Sequence, residues 1–289
     1  MRGGGVHVLY SFVNLLDCVF ERNKAFVEAG GAHVTSLSSI TLFRCAFADN
    51  DAFIDDGVKL VTPVSIPGKS AELVQCSFWN DRISVPYADT TTIRNSILHA
   101  NFTSPLITSK TPPQISYSLV PSDLSGVGVI HGDPQFVDPT HGDLHLRATS
   151  PCIGAGLFEF FPPGFDFEGD SRGANWDIGA DEFEPHLYVV GSPNSGEYSH
   201  LGIAGPAGSV PLLFLSTSLA WAPTPYGSFE LGLPLLPPSP LALSTLGSDG
   251  STILQIILPP SLPSPVTIHL QAFLAGPNVL TNRVTLLLD

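Results

Sequence analysis

The stretch Ile40-Thr-Leu-Phe-Arg-Cys-Ala-Phe-Ala-Asp-Asn50 decides the fold, because its pattern returns along the first half of the chain. It reads apolar, two residues, Cys or Ser, one residue, large apolar, two residues, then Asn or Asp. Leu15, Cys18, Phe20 and Asn23 stand upstream. Downstream come Leu73, Cys76, Phe78 and Asp81, then Ile93, Ser96, Leu98 and Asn101, and a fainter Ile115, Ser118, Val120 and Asp123. The Cys/Ser position advances by 27, 31, 20 and 22 residues. A period in this range, with strand-forming residues and no helical periodicity, predicts a solenoid. Each copy reads as strand, corner, strand, and copies stack in parallel so that every position becomes a file along the axis.

Composition agrees with an all-β chain. Of 289 residues, 43% are hydrophobic and only 13% charged, and Gly and Pro number 27 each, so turns abound and long helices are disfavoured. The formal charge of −14 repels polyanions, which argues against nucleic acid and anionic membranes as partners. No apolar run is long enough for a membrane span. Acidity is concentrated before His186, and that asymmetry predicts two domains. The opening residues lack the apolar core of a secretory signal. They also begin inside a repeat, since Gly4–Val8 matches Gly30–Val34, and this predicts a piece of a longer protein with an uncapped end able to self-associate.

The files have structural readings first. Cys18, Cys45 and Cys76 share one place and predict a column of free, buried thiols, with Cys152 a buried singleton. Phe20, Phe47 and Phe78 predict a ring column. Asn23, Asn50, Asp81 and Asn101 predict a turn column in which amides bond the turns above and below, the alternative being a polar binding stripe. His7, His33 and Lys59 align on the outer face as a solvated ladder, or as an incomplete metal site. Asp49, Asp51, Asp55 and Asp56 form an acidic loop, either solvated or bridged by Ca²⁺, a candidate ligand of which no copy demands a bound form. No cofactor is required by this reading.

From His131 the text changes to His131-Gly-Asp-Pro-Gln-Phe-Val-Asp-Pro, Gly142-Asp-Leu-His-Leu, Ser150-Pro-Cys-Ile-Gly-Ala-Gly156, Asp166-Phe-Glu-Gly-Asp-Ser-Arg172 and Asp177-Ile-Gly-Ala-Asp-Glu-Phe183. These motifs, in this order, resemble the closing segment of bacterial surface proteins called choice-of-anchor Q proteins. The repeats are similar to theirs and to polymorphic outer-membrane-protein repeats. The resemblance covers roughly residues 3–184. It implies a right-handed parallel β-helix, export and cell-surface display, and it supplies no catalytic site. Cys152 and Gly154 depart from the family pattern. Residues 131–184 read as a terminal cap, with Phe136, Leu144, Leu146 and Ile153 covering the last repeat. Among Asp166, Glu168, Asp170, Arg172, Asp177, Asp181 and Glu182, a bidentate Arg172–carboxylate lock is the economical reading. Ca²⁺ held by Asp170, Asp177 and Asp181, or a carboxylate pair for glycoside hydrolysis, are the alternatives.

The predicted architecture is therefore a right-handed parallel β-helix over 1–185, its cap at 131–184, followed by a small antiparallel β-sandwich over 186–289. The second domain shows seven candidate strands: Leu187–Val190, Val210–Ser216, Ser228–Leu233, Leu241–Leu246, Thr252–Leu258, Val266–Phe273 and Val284–Leu288. Trp221 and Tyr226 either stack on sugar rings or pack in loops and core. Two functions follow. One is a non-enzymatic, exported module at the cell surface, for adhesion, carbohydrate contact or spacing. The other is a polysaccharide lyase or glycoside hydrolase, for which Arg44, Asp49, Asp81 and Arg82 are the candidate catalytic residues. Asp17 and Arg44 fall in one column, where an ordinary ion pair also explains them. No Gly-x-Ser-x-Gly elbow is present.

Overall fold

The computed structural model describes residues 3–36, 39–54, 57–62, 68–102, 105–158, 164–168, 170, 172, 175–190, 198–233, 235, 239–248, 250–257 and 266–288. It is all-β; among these residues the one helical element is the 3-10 turn Pro139–His141. Two compact units divide the chain: Met1–Leu146 with Ser150–Glu182, and Arg147–Thr149 with Phe183–Asp289.

In the first unit, successive passes of the chain lay strands into three large parallel sheets and a two-stranded one, Lys24–Glu28 with Asp51–Ile54. Val6–Ser11, Ala32–Ser36, Val58–Val61, Ile83–Val85 and Ile107–Ser109 make the first. The second joins Leu15–Leu16, Ile40–Phe43, Ser70–Val74, Thr90–Arg94 and Gln114–Ser116. The third joins Val19–Glu21, Ala46–Ala48, Ser77–Trp79 and Ile97–His99. Registers align like with like. Leu15, Leu42, Leu73, Ile93 and Ile115 form one file, and Phe20, Phe47, Phe78 and Leu98 another. The phenyl rings stack at 4.8 Å, tilted by 13° between Phe20 and Phe47 and by 2° between Phe47 and Phe78. That distance is the spacing of neighbouring strands, so the ladder itself sets the ring contacts.

The corner between the second and third sheets is one residue in the left-handed region: Asp17 (φ 52), Arg44 (51), Gln75 (53), Asn95 (49) and Tyr117 (45). The strands do not lose their pairing there. Arg44 N–H donates to Val74 O at 3.0 Å, and Gln75 N–H to Arg94 O at 3.1 Å. Each following Cys or Ser then points inward. All four cysteines are free. Cys45 and Cys76 are buried, while Cys18 in the first pass is only partly covered. Where serine replaces cysteine, its hydroxyl adds a bond between passes: Ser96 Oγ accepts from Cys76 N–H, and Ser118 Oγ from Ser96 N–H, both at 3.1 Å.

Asn50 is the centre of the turn file. Its N–H and Nδ2 donate to Asp81 Oδ1 and Oδ2 (3.0 and 2.9 Å), Nδ2 also reaches Phe20 O, and Oδ1 accepts from Asn23 N–H and Nδ2. Asn101, expected as the file's next member, is exposed and donates its N–H to Asn80 Oδ1, one position aside. The outer ladder also differs from expectation. His7, His33 and Lys59 are in register, but His33 is only 3% exposed. Glu28 covers it, with Oε2 at 3.6 Å from His33 Nε2 and Oε1 at 2.8 Å from Lys59 Nζ. The ladder is covered at His33, while His7 is exposed as expected.

His131 Nδ1 is 2.9 Å from Val120 O of the last repeat, and described residues further on meet the flank of earlier passes. A hairpin pairs Phe136–Asp138 with Asp143–Leu146. Phe136 meets the Trp79 ring edge-on at 6.0 Å, and Arg22 Nη2 donates to Thr140 O. Gly142, at φ 84, lies beside the Glu21 carboxylate, and its left-handed backbone favours glycine. Further on, Asn95 grips Leu157 with two 2.8 Å bonds, Arg44 Nη1 donates to Phe165 O, and Ala180 N–H donates to Ser77 Oγ. Of the apolar side chains assigned to an end cap, Phe136 meets this flank, where the Ser77–Trp79 pass presents a large ring and a hydroxyl.

The second unit is antiparallel. His186–Val190, Tyr198–Ala204 and Ser251–Ile257 form one sheet, and Leu241–Ala242, Val210–Ser216, Val266–Ala275 and Val279–Leu288 another. Leu187, Leu201 and Ile203 from the first and Leu213, Leu270, Leu274 and Leu286 from the second share one core. A further hairpin pairs Leu219–Thr224 with Gly227–Leu231. Tyr198–Ala204 and Leu219–Thr224 are absent from the sequence expectation. Gly202 weakens the first as a sequence signal, yet its missing side chain is the place where the Tyr188 ring lies.

Candidate functional site

The four residues singled out for catalysis are not brought together as a reacting set. Arg44 forms a bidentate pair with Asp17 (Nε–Oδ1 2.6 Å, Nη2–Oδ2 2.8 Å), and its remaining nitrogen holds Phe165 O. Asp49 Oδ1 accepts from Asn80 Nδ2. Asp81 is buried, with both oxygens on Asn50. Arg82 lies over the Phe102 ring at 4.4 Å. These bonds join one pass of chain to the next.

Of the carboxylate sets proposed for Ca²⁺, Asp170, Asp177 and Asp181 do not converge, and the first is described only at Asp49 and Asp51. Asp51 is exposed, 3.9 Å from Lys24, and Asp55 and Asp56 lie outside the described residues. Asp170, Asp177 and Asp181 go separate ways. Asp177 Oδ1 accepts from Gly154 N–H, and Asp170 donates its N–H to Asp166 Oδ1. Arg172 is fully buried, but its grip differs from a bidentate carboxylate lock. Nη1 donates to Glu182 Oε2 and Asp177 O, and Nη2 to Gly179 O and Ala180 O. A guanidinium has five donors in a fixed fork, and here it serves a tight backbone turn with three carbonyls.

Asp181 belongs instead to a cluster with His145 and Glu168, one ligand-type atom of each lying within 4.8 Å of the others. His145 is on the strand Asp143–Leu146, so Asp143 and His145 point to the same side. Its Nδ1 is 2.6 Å from Asp143 Oδ1 and its Nε2 is 3.0 Å from Glu168 Oε2. Glu168 is positioned by a turn in which Asp166 Oδ1 accepts from the N–H groups of Glu168 and Asp170. Burial works against a charged His145, but bonds to Asp143 and Glu168 and the nearby carboxylate charges outweigh it, and its pKa lies well above the ordinary imidazole value. Burial, opposed by the His145 charge and reinforced by Asp166, pushes the Asp181 carboxyl up to about 8. Burial, with the Asp166 and Glu168 charges, also raises Asp170. The alternation Gly142-Asp-Leu-His145 was the available signal for the Asp143–His145 pair. The contributions of Glu168 and Asp181 depend on where the later turns come to rest.

Two exposed aromatic surfaces complete the inventory. Trp221 is 68% exposed and, with Leu219, Ala220, Glu230 and Arg283, lines an open groove of about 320 Å³. Arg283 Nη1 and Glu230 Oε2 pair at 3.0 Å at its side. Tyr226 is half exposed and meets the Phe273 ring edge at 5.5 Å. Of the plainer expectation, core or loop packing, the core half does not hold for Trp221. On the first unit, Phe26 and Phe53 are 86% and 88% exposed on the adjacent parallel strands Lys24–Glu28 and Asp51–Ile54. No helix among the described residues is long and apolar enough to cross a membrane. Compared with known proteins, the chain matches no family model and no curated protein.

Proposed function

We propose that residues 1–185 form a right-handed parallel β-helix and residues 186–289 a small β-sandwich, and that the chain is a non-enzymatic module of an exported surface protein of the choice-of-anchor Q type, in contact with glycan. The parallel registers of three sheets support the solenoid, and the shared core of two antiparallel sheets supports the sandwich. The charged residues first considered for catalysis are engaged in bonds between neighbouring passes, which supports a scaffold role for them.

One observation carries the glycan reading: large aromatic rings stand in water where no packing need explains them. Phe26 and Phe53 on neighbouring strands, and Trp221 beside the Glu230–Arg283 pair, are flat apolar surfaces next to polar groups. Exposed apolar surface of this kind marks contact sites, and ring faces suit the apolar faces of sugars. Incubation with pectin, alginate and neutral glycans tests the proposal. Binding without new unsaturated or reducing ends, weakened by Trp221→Ala or by Phe26→Ala with Phe53→Ala, is expected. Turnover abolished by Arg44→Ala or Arg82→Ala in folded protein would overturn it in favour of a polysaccharide-degrading enzyme.

A further inference from the structure

Five carboxylates, from Asp143, Asp166, Glu168, Asp170 and Asp181, lie around the single imidazole of His145. Arg172 contributes its field from one side, but its Nη donors are turned to Glu182 and to backbone carbonyls. Asp181 is the telling member. It is only 4% exposed, and it accepts one long bond, 3.3 Å from Leu146 N–H to Oδ2. A carboxylate so covered, with one ligand-type oxygen within 4.8 Å of those of His145 and Glu168, is costly unless it is protonated or meets a cation.

We propose that His145 Nε2, Glu168 and Asp181 form a three-ligand site for a divalent transition cation of the Zn²⁺ class, with Asp143 as the partner that orients the imidazole through Nδ1. The arrangement has the chemistry such ions select. One imidazole nitrogen and two carboxylates within reach of a common point give a mixed N/O set, which suits Zn²⁺. Ca²⁺ takes six to eight oxygens and Mg²⁺ an octahedron of them, and neither favours a nitrogen here. A carboxylate on the second ring nitrogen fixes the tautomer and raises the basicity of the ligating one. In binding, the cation takes the place of the proton shared between His145 Nε2 and Glu168, and that proton leaves to solvent. Three protein ligands leave one tetrahedral position for water or an incoming oxygen ligand. The ion would tie together the hairpin at 145, the turn at 168 and the tight turn at 181, all within the first unit. This proposal stands apart from the glycan reading.

The test uses the full chain without a histidine tag, stripped with chelator and titrated calorimetrically with Zn²⁺ and with Ca²⁺. The expected result is one Zn²⁺ per chain, no Ca²⁺ at matching concentration, and visible d–d absorption when Co²⁺ is substituted. Because the chain has nine histidines, location must be shown by substitution. Glu168 is 46% exposed at its side chain, so Glu168→Gln should fold; it and Asp181→Asn should each weaken Zn²⁺ at least about tenfold and alter the Co²⁺ spectrum. Asp143→Asn should lower affinity by roughly 10–100-fold with the stoichiometry kept. Absence of stoichiometric Zn²⁺ binding would leave only a hydrogen-bonded imidazolium and overturn the proposal. So would Zn²⁺ binding and a Co²⁺ spectrum unchanged in Glu168→Gln, or a preference for Ca²⁺.

Discussion

Replacing Asn50 by Asp turns its one side-chain donor, Nδ2, into an oxygen that cannot donate, and the structure sets out what that costs. Asn50 Nδ2 is 2.9 Å from both Asp81 Oδ2 and Phe20 O, while Oδ1 is already used as an acceptor by Asn23. In Asn50→Asp an oxygen takes the place of Nδ2 and faces a carboxylate and a carbonyl. Two carboxylates at this separation cannot both be ionised, so the folded variant holds one proton between them. The unfolded chain releases that proton near pH 4. The folded pKa is therefore raised, and stability is lost as pH rises from about 4 toward the folded pKa. The slope for one proton is about 1.4 kcal/mol per pH unit. Relative to the natural chain, the loss should then grow by roughly 3 kcal/mol between pH 5 and pH 7. Urea unfolding of both proteins at pH 5, 6 and 7 reads it directly. The double variant Asn50→Asp with Asp81→Asn returns a donor to the pair and should remove the slope. A loss that stays constant with pH, or a slope that persists in the double variant, would refute the role given to this file.

The other expectations come from the ring file, the thiols and the acid cluster. Phe47→Ala, fully buried between two rings, should cost about 3–5 kcal/mol in urea unfolding, and Phe20→Ala, with one ring neighbour, distinctly less; equal costs would contradict the stacking. Cys45, driven up by Cys76 and by burial, and Cys152, pushed up by burial to about 12, should resist thiol reagents in the native state at pH 8. Partly exposed Cys18 should react first, and rapid labelling of all four would be contrary to the structure. In chelator, Asp181 binds its proton more tightly folded than unfolded, so its contribution falls as pH rises between about 4 and about 8. Asp181→Asn should therefore gain on the natural chain in melting temperature from pH 5 to pH 8; a difference that shrinks over that range would sink the assignment.

What could be read ahead of the structure was whatever repeats. The spacing of Leu42, Cys45, Phe47 and Asn50 carries the inward alternation and the turn, and the observed registers follow it residue by residue. Failures begin where an interaction depends on residues outside the repeat. His33 is covered by Glu28, which has no counterpart in the pattern. Asn101 is displaced because Asn80, one position before the file, has an amide oxygen that takes its N–H. The site at His145 combines residues 23 and 36 positions apart, and local alternation announces only the Asp143 half of it. In the second unit, Gly202 concealed a strand whose companion ring, Tyr188, lies in the paired strand.

The corner file supplies bonds that hold part of the closing segment to the flank. A non-glycine residue in the left-handed region costs roughly 1–2 kcal/mol, and Asp17, Arg44, Gln75, Asn95 and Tyr117 all stand there. Only asparagine and aspartate ease this cost through their own side chains, so Arg44, Gln75 and Tyr117 need another compensation. Part of it is the unbroken backbone ladder through each corner. A left-handed residue also turns its side chain out of the strand pleat, away from the core that its neighbours fill. Arg44 and Asn95 thereby present polar groups along one line, and these are the groups that hold Phe165 O and both backbone atoms of Leu157. The strain and the docking rail have the same origin. Replacing Asn95 by Gly would relieve the first and abolish the second, so a net loss of stability would show that the rail matters more, whereas a net gain would mean that the closing segment is held by its apolar contacts alone.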